Sequence, residues 1–363
     1  MNSMLPFDRD VYCIGGLPFD AVDLESTKSR LENSVYCKNK TFLSTPNLNW
    51  LRISRTDPAF REAAIRSDLS IADGMPIVLL SKLLSLPIKE RAAGSDLIDL
   101  LIEKTKLTFF FFGGADGVGE KAEQNINRKC GENRIVGHLS PGFGSVADMS
   151  STKNISDINN TNPDFVVVSL GALKGQTWIL ENLDKVTSPI MSHLGAVINF
   201  YADTVKRAPV ALQKFGLEWL WRIYQEPTLG KRYFDDASFL MKEMIFRIIP
   251  YYLLLKKHAK QNDSDKASIS MVDKPGELEI VFTGSFDETH SSKIRKSFTD
   301  AITHNKGILI NLEHTTYITS SFIGLLLLMN KFCIENKLRF FVSTTNATVR
   351  KIFFYCGAEY LLD

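Results

Sequence analysis

The sequence predicts an α/β protein in two parts. Residues 1–210 read as a Rossmann-like parallel-sheet domain, 211–257 as a basic amphipathic helical appendage, 258–273 as a linker and 274–363 as a second, smaller α/β domain. Three observations predict this. Uninterrupted short apolar runs alternate with helix-sized segments, as in a parallel sheet covered on both faces. The stretch KKHAKQNDSDKASISMVD at 256–273 is polar and lacks a long apolar period. And 363 residues, 44% hydrophobic and 23% charged, exceed the usual size of one globular core.

In chain order, the apolar runs are 11–14, 41–44, 69–72, 107–112, 134–139, 165–170 and 190–194. Each reads as a buried parallel strand. In open sheets of this kind ligands bind beyond the carboxyl ends of the strands. The residues to inspect are therefore Thr45-Pro46-Asn47, Asp73-Gly74, Gly113-Gly114 and Gly171.

Between 211 and 257 the character changes. Trp219, Leu220, Ile223, Phe239, Leu240, Met244, Ile245, Ile248, Ile249, Tyr251, Tyr252 and the leucines at 253–255 interleave with Lys214, Arg222, Lys231, Arg232, Lys242, Arg247, Lys256 and Lys257. Such a mixture suits an anionic membrane surface, each basic residue near the headgroups contributing about 1 kcal/mol. The alternative is a helix pair packed on the core with Trp219 and Trp221 partly buried. The last segment then runs strand (278–282), helix (291–303), strand (307–312), helix (322–335), strand (338–342), helix (347–355), enough for a small domain.

Composition excludes several classes. The formal net charge of +2 gives no whole-protein argument for nucleic-acid binding. Five scattered cysteines without a C-x-x-C pair favour reduced thiols and a cytoplasmic setting over a disulfide framework. Residues 1–10 lack the basic and apolar regions of a signal peptide, and no window reaches the roughly 18 apolar residues of a membrane span. Six isolated histidines offer no metal-ligand spacing, so neither a metal nor another cofactor is expected, and G-x-S-x-G is absent.

Several local patterns carry chemistry. Gly113 and Gly114 follow an apolar strand and open a helix in GGADGVGEKAEQ, where backbone amides could approach a phosphate, or where a plain tight turn suffices. Asp73 at a strand's end is placed to act as a general base, or to cap the helix beginning at Met75. Thr45-Pro46-Asn47 forms a fixed turn rich in hydrogen-bonding groups, suited to a polar ligand or simply to a turn.

Their order is more informative than any one of them. TPNLNW (45–50), IADGMP (71–76), ERAAGSDL (90–97), FFGG (111–114), LGA (170–172), RAP (207–209), GLEWLWR (216–222) and Glu226-Pro227 succeed one another as in the WecG/TagA/CpsF glycosyltransferases, which residues 8–245 resemble. The resemblance implies inverting transfer of a sugar from a UDP donor to a polyprenyl-diphosphate-linked sugar during surface polysaccharide synthesis. It would take place peripherally, on the inner face of the cell membrane. It implies Asp73 as general base, Arg91 of E-R-x-x-G-x-D as a cation for the diphosphate, and Thr45 and Asn47 as pocket lining. Gly113, Gly114, Gly171 and Gln176 would serve the donor, and Arg207, Arg222 and Arg232 the active site from the appendage. The family's G-x-P-x-Q-E is here Gly171-Ala172-Leu173-Lys174-Gly175-Gln176. The family also implies assembly as a homo-oligomer.

The final segment resembles a STAS domain through GILINLEHTTYITSSFIGLLLL (307–328), an apolar strand ending in a turn that opens a helix. Phosphorylatable STAS domains read Asp-Ser-Ser-Gly-Leu at that turn; here it is Thr319-Ser320-Ser321-Phe322-Ile323. Ser320 stands at the phospho-acceptor position, and a hydroxyl there equally suits a helix N-cap. The resemblance implies a protein partner or a lipid surface for this module. A non-catalytic scaffold with a degenerate transferase domain is the competing reading of the whole chain.

Overall fold

A computed structural model describes residues 6–209, 211–212, 216–258 and 267–362. Lys214 and positions 259–266 of the expected linker lie outside the described residues.

The chain opens with β1 (Val11–Ile14) and β2 (Leu17–Asp20), an antiparallel pair standing apart from the main sheet. Residues 11–14 are thus a hairpin strand, not the parallel strand their apolar run suggests. Gly15 and Gly16, both at positive φ, close a two-residue turn that matches hairpin twist. Helix α1 (Leu24–Cys37) follows, capped by Asp23.

The central sheet is built next: β3 (Thr41–Ser44), α2 (Leu48–Thr56), α3 (Pro58–Ile65), β4 (Leu69–Ser70), α4 (Met75–Leu83), α5 (Gly94–Lys104), β5 (Phe109–Gly113), α6 (Val118–Cys130), β6 (Ile135–Leu139), α7 (Val146–Met149), α8 (Thr152–Asn160), β7 (Phe165–Ser169), α9 (Ala172–Asn182), β8 (Ile190–His193) and α10 (Val197–Tyr201). Its six strands lie in the order β4-β3-β8-β7-β5-β6, every pairing parallel. Alternate side chains enter two cores. Leu43, Phe109, Phe165, Val167 and Ile190 face α5 and α6, while Phe42, Phe110, Val166, Val168 and Met191 face α8 and α9. Burial on both faces explains why these strands read as continuous apolar runs.

The appendage holds α11 (Glu218–Gln225) and α12 (Gly230–Glu243), which continues through a wide π turn at Met244–Ile248 into α13 (Ile249–His258). Pro250 lacks an N–H and its ring crowds the preceding turn, and the helix widens at that point. The inner side of α12–α13 packs into a core with Ile248 and Tyr251 buried, so part of the packed-helix alternative holds. The outer side leaves Phe234, Met241, Ile245, Phe246, Ile249 and Leu253 exposed.

The C-terminal unit comprises β9 (Ser268–Lys274), β10 (Glu277–Ser285), α14 (Ser291–Ile302), β11 (Gly307–Tyr317), α15 (Ser320–Glu335), β12 (Phe340–Ser343) and α16 (Ala347–Cys356). Its sheet runs β12-β11-β10-β9, parallel except for β9. Positions 268–273 are therefore strand rather than linker. The sequence hides this because β9 is an edge strand whose exposed face carries Ser268, Ser270 and Lys274.

This unit does not hang from the rest. One core joins Ile280, Phe282, Ile310, Phe322 and Leu326 to Val11, Ile14, Phe19, Trp50, Phe60, Ile248 and Tyr251. Ser320 Oγ donates to the Cys13 carbonyl at 2.8 Å, the Gly16 amide to Cys356 at 2.7 Å and Tyr360 to Gly16 at 2.6 Å. Ion pairs close the rim, among them Arg247–Glu359 and Arg295–Asp10.

Candidate active site

Backbone bonds bring three of the sequence motifs together at the carboxyl edge of β3 and β4. The Asp73 amide donates to the Pro46 carbonyl at 3.1 Å, and the Ala92 amide to the Ala72 carbonyl at 2.9 Å. The turn at 45–47, the loop at 71–74 and the loop at 90–93 are thereby one surface. Gly74, at φ 107° and ψ 142°, reverses the chain in a conformation that side chains avoid. Gly94 lets α5 approach: a Cβ there would meet Leu194 at 2.6 Å, with Thr45 alongside at 3.7 Å.

Asp73 sits at the centre of this surface, partly buried. The cap position of α4 is Gly74, so the carboxylate is not consumed in capping, and no hydrogen bond from another described residue satisfies it. Burial pushes it up to about 6, against the pull of Arg91 and Arg222 and with the repulsion of Glu218. A carboxylate held near neutrality without a partner can accept a proton.

Arg91 is held on both edges. Its Nη2 donates to Asp96 at 2.8 Å and its Nη1 to Glu218 at 2.6 Å, so the cation is not a loose surface pair. Arg207 meets Asp96, Asp99 at 2.5 Å and Ser95 at 3.1 Å. Arg222 lies over Phe200, with Glu226 at 3.7 Å. The appendage thus carries Arg222 and Glu218 to the neighbourhood of Asp73 and Arg91. Arg232 stands in a separate cluster with Tyr233 and the Arg52–Asp236 pair of the α2–α12 contact.

The other expected residues are placed as follows. Thr45 is buried beside Leu194 and Gly94. Asn47 caps α2, its Oδ1 accepting from the Trp50 amide at 3.3 Å, which leaves its Nδ2 donors available. The two glycines that end and follow β5 serve packing. A Cβ at Gly113 would lie 2.6 Å from the Ser169 carbonyl, and the Gly114 amide already donates to that carbonyl at 3.0 Å. The phosphate-cradle reading therefore loses the Gly114 amide. Gly171 opens α9 into unobstructed space. Gln176 is fully buried, and neither end of its amide has a partner among the described residues, a state costing about 1–3 kcal/mol. Beside it, Gly175 packs on the His193 ring, which burial keeps neutral and which donates Nε2–H to Leu170.

Sequence reasoning missed Asp96, Asp99 and Glu218. All three lay inside or beside the motifs quoted, yet acidic residues at a site expected to bind diphosphate carried no signal until their arginine partners were seen.

Comparisons with known proteins give the family. Residues 12–250 match the profile of the glycosyl transferase WecG/TagA/CpsF family. An N-acetylglucosaminyldiphosphoundecaprenol N-acetyl-beta-D-mannosaminyltransferase of Bacillus spizizenii is 29% identical over 224 residues, 60% of this chain and 85% of the relative. A Staphylococcus aureus protein of the same name is 26% identical over 187 residues, 51% of this chain and 72% of its own length. With the family's match spanning the six-stranded sheet, the Asp73–Arg91 surface and the appendage, this chain belongs to the WecG/TagA/CpsF family of glycosyltransferases.

Proposed function

We propose that the enzyme transfers a hexosaminyl group, with inversion, from a UDP-sugar to a hydroxyl of a polyprenyl-diphosphate-linked sugar. The observation that carries this reading is the Asp73 carboxylate, without a hydrogen-bond partner among the described residues, beside Arg91 and Arg222. In the reaction the acceptor oxygen forms a bond to the anomeric carbon as the bond from that carbon to the diphosphate breaks. The acceptor's proton passes to Asp73 Oδ, and the electron pair of the broken bond goes to the departing diphosphate, whose charge Arg91 and Arg222 neutralise. Thr45 and the Nδ2 of Asn47 border the acceptor, while Gly171, at the open start of α9, serves the donor side. The names of the relatives support a lipid-diphosphate sugar as acceptor.

Membrane contact follows from the same reading. No described helix is long and apolar enough to cross a bilayer, yet α12–α13 presents Ile245 and Phe246, 53% and 63% exposed, between Lys242 and Lys256. A surface of this kind suits peripheral binding to an anionic leaflet. Co-sedimentation with phosphatidylglycerol vesicles is expected for the chain and lost in Ile245→Asp/Phe246→Asp; equal sedimentation of both removes the membrane reading. For the C-terminal unit, a strand-helix alternation with a helix opening directly after β11 supports the STAS likeness.

The reaction is tested by UDP release from a panel of UDP-sugars with a polyprenyl-diphosphate-N-acetylglucosamine analogue. Acceptor-dependent release establishes the proposal; absence of release with every donor overturns it.

A further inference from the structure

We infer that Glu218 is a gate on the diphosphate site: in the substrate-free enzyme its carboxylate occupies the edge of Arg91 that a diphosphate oxygen takes, and substrate binding displaces it. The inference rests on the diphosphate reading of Arg91 given above.

The geometry of Arg91 distinguishes its two partners. Asp96 belongs to the first turn of α5, only five residues along the chain, and is fixed from its other side by Arg207. It is part of the scaffold. Glu218 arrives from 127 residues away on α11, and Arg91 is the one group it pairs with among the described residues. A guanidinium edge accepts a carboxylate and a phosphate in the same planar, two-donor manner, so one can replace the other without Arg91 moving. Arg91 and Glu218 are 17% and 21% exposed, so an anion from solvent can reach the pair.

Glu218 opens the first turn of α11, so it can turn away while Arg222, one turn on, keeps its place over Phe200. None of the eight residues of α11 is buried. Besides the Arg91–Glu218 pair it is held by polar bonds of Trp221 and Gln225 to the Lys206 carbonyl, by the Lys206 amide donating to Gln225 Oε1, by Arg222 over Phe200 and by the Trp219 ring against Tyr233. Gly216, at φ 71° and packed against Met75, precedes it. Segments with so little buried apolar contact open at low free energy. Charge also favours exchange. Asp73, Asp96, Asp99 and Glu218 already surround Arg91, Arg207 and Arg222, and a diphosphate added beside Glu218 would face an excess of negative charge. Departure of Glu218 removes one of those charges as the ligand brings its own.

The test uses the full chain and inorganic pyrophosphate, followed by UDP, in titration calorimetry. Glu218→Gln keeps the size of the side chain and removes its charge; it is expected to bind pyrophosphate about five- to tenfold tighter than the unmodified enzyme, a typical size for coupling through one exchanged contact. Hydrogen exchange supplies the second readout. Pyrophosphate should raise exchange of the amides at 218–221 in the unmodified enzyme while those around Arg222 stay protected, whereas in Glu218→Gln the amides at 218–221 exchange fast before ligand is added. Glu218→Asp, which keeps the charge and shortens its reach, is expected to tighten binding too, and it carries the test if the Gln variant fails to fold. Binding that Arg91→Ala weakens, but that neither Glu218 variant tightens, overturns the gate and leaves the diphosphate site standing. Binding indifferent to Arg91→Ala, or none at all, overturns the site and the gate together.

Discussion

Asp73 and Ser320 occupy the same topological place in two different sheets. Each follows the carboxyl end of a parallel strand and stands at the start of a helix, β4 to α4 for one and β11 to α15 for the other. Their fates differ. Asp73 looks onto a surface formed by loops, with two arginines nearby and no hydrogen bond to its carboxylate from another described residue. Ser320 is buried and bonded to the Cys13 carbonyl, because the N-terminal hairpin lies across the end of α15. It does not cap the helix either: Thr319 does, accepting from the Phe322 amide. A strand end in an α/β sheet is thus a site only where no other element docks on it.

The largest expected effect lies on the open side of this comparison. Asp73→Asn preserves shape and removes the base, so transfer should fall by about 10²–10⁴-fold while UDP still binds. Kinetic assay and calorimetry on the same preparation read both; full transfer by the variant would mean that the two strand ends are equally idle.

On the closed side, Gly324 decides how near the hairpin comes to α15. A Cβ there would lie 2.1 Å from the Val11 carbonyl oxygen, a backbone atom that cannot swing aside. Alanine in place of glycine within a helix ordinarily stabilises. Here Gly324→Ala should instead destabilise by about 1–3 kcal/mol, seen as a lowered melting temperature. An unchanged or raised melting temperature would show that the hairpin is not clamped as described.

The acidity of Asp73 gives a smaller, graded effect. With its carboxyl raised to about 6, protonation below that pH occupies the base, so kcat/KM should fall about tenfold per pH unit on the acid side and level off above it. Removing the Glu218 charge, which raises the Asp73 pKa, lowers that pKa and should move the limb to lower pH. A profile flat from pH 5 to 8 would place the proton acceptor elsewhere.

Ser320→Ala sets the lower end. Loss of its bond to Cys13 should cost about 1 kcal/mol of stability and leave transfer untouched. A loss of transfer in that variant would show that the closed strand end communicates with the open one.

How far the sequence could be read follows from the range of the forces involved. The parallel strands from residue 41 onward declare themselves because burial on both faces demands apolar residues at every position. Asp73, Arg91 and the turn at 45–47 could be named because they follow such strands or fall in recognisable motifs. Composition alone also marked the appendage as amphipathic, basic and aromatic. What remained hidden depends on contacts distant along the chain. Residues 11–14 have strand character either way, and only their packing on α15 shows which sheet they leave and which core they join. The polar stretch before 274 looks like linker because an edge strand buries only one of its faces. Glu218 is invisible as a partner of Arg91 because an ion pair across 127 residues leaves no periodicity behind. Sequence determined which segments must be buried and which side chains could do chemistry; tertiary structure alone decided which strand ends stay open, since that depends on what docks over them.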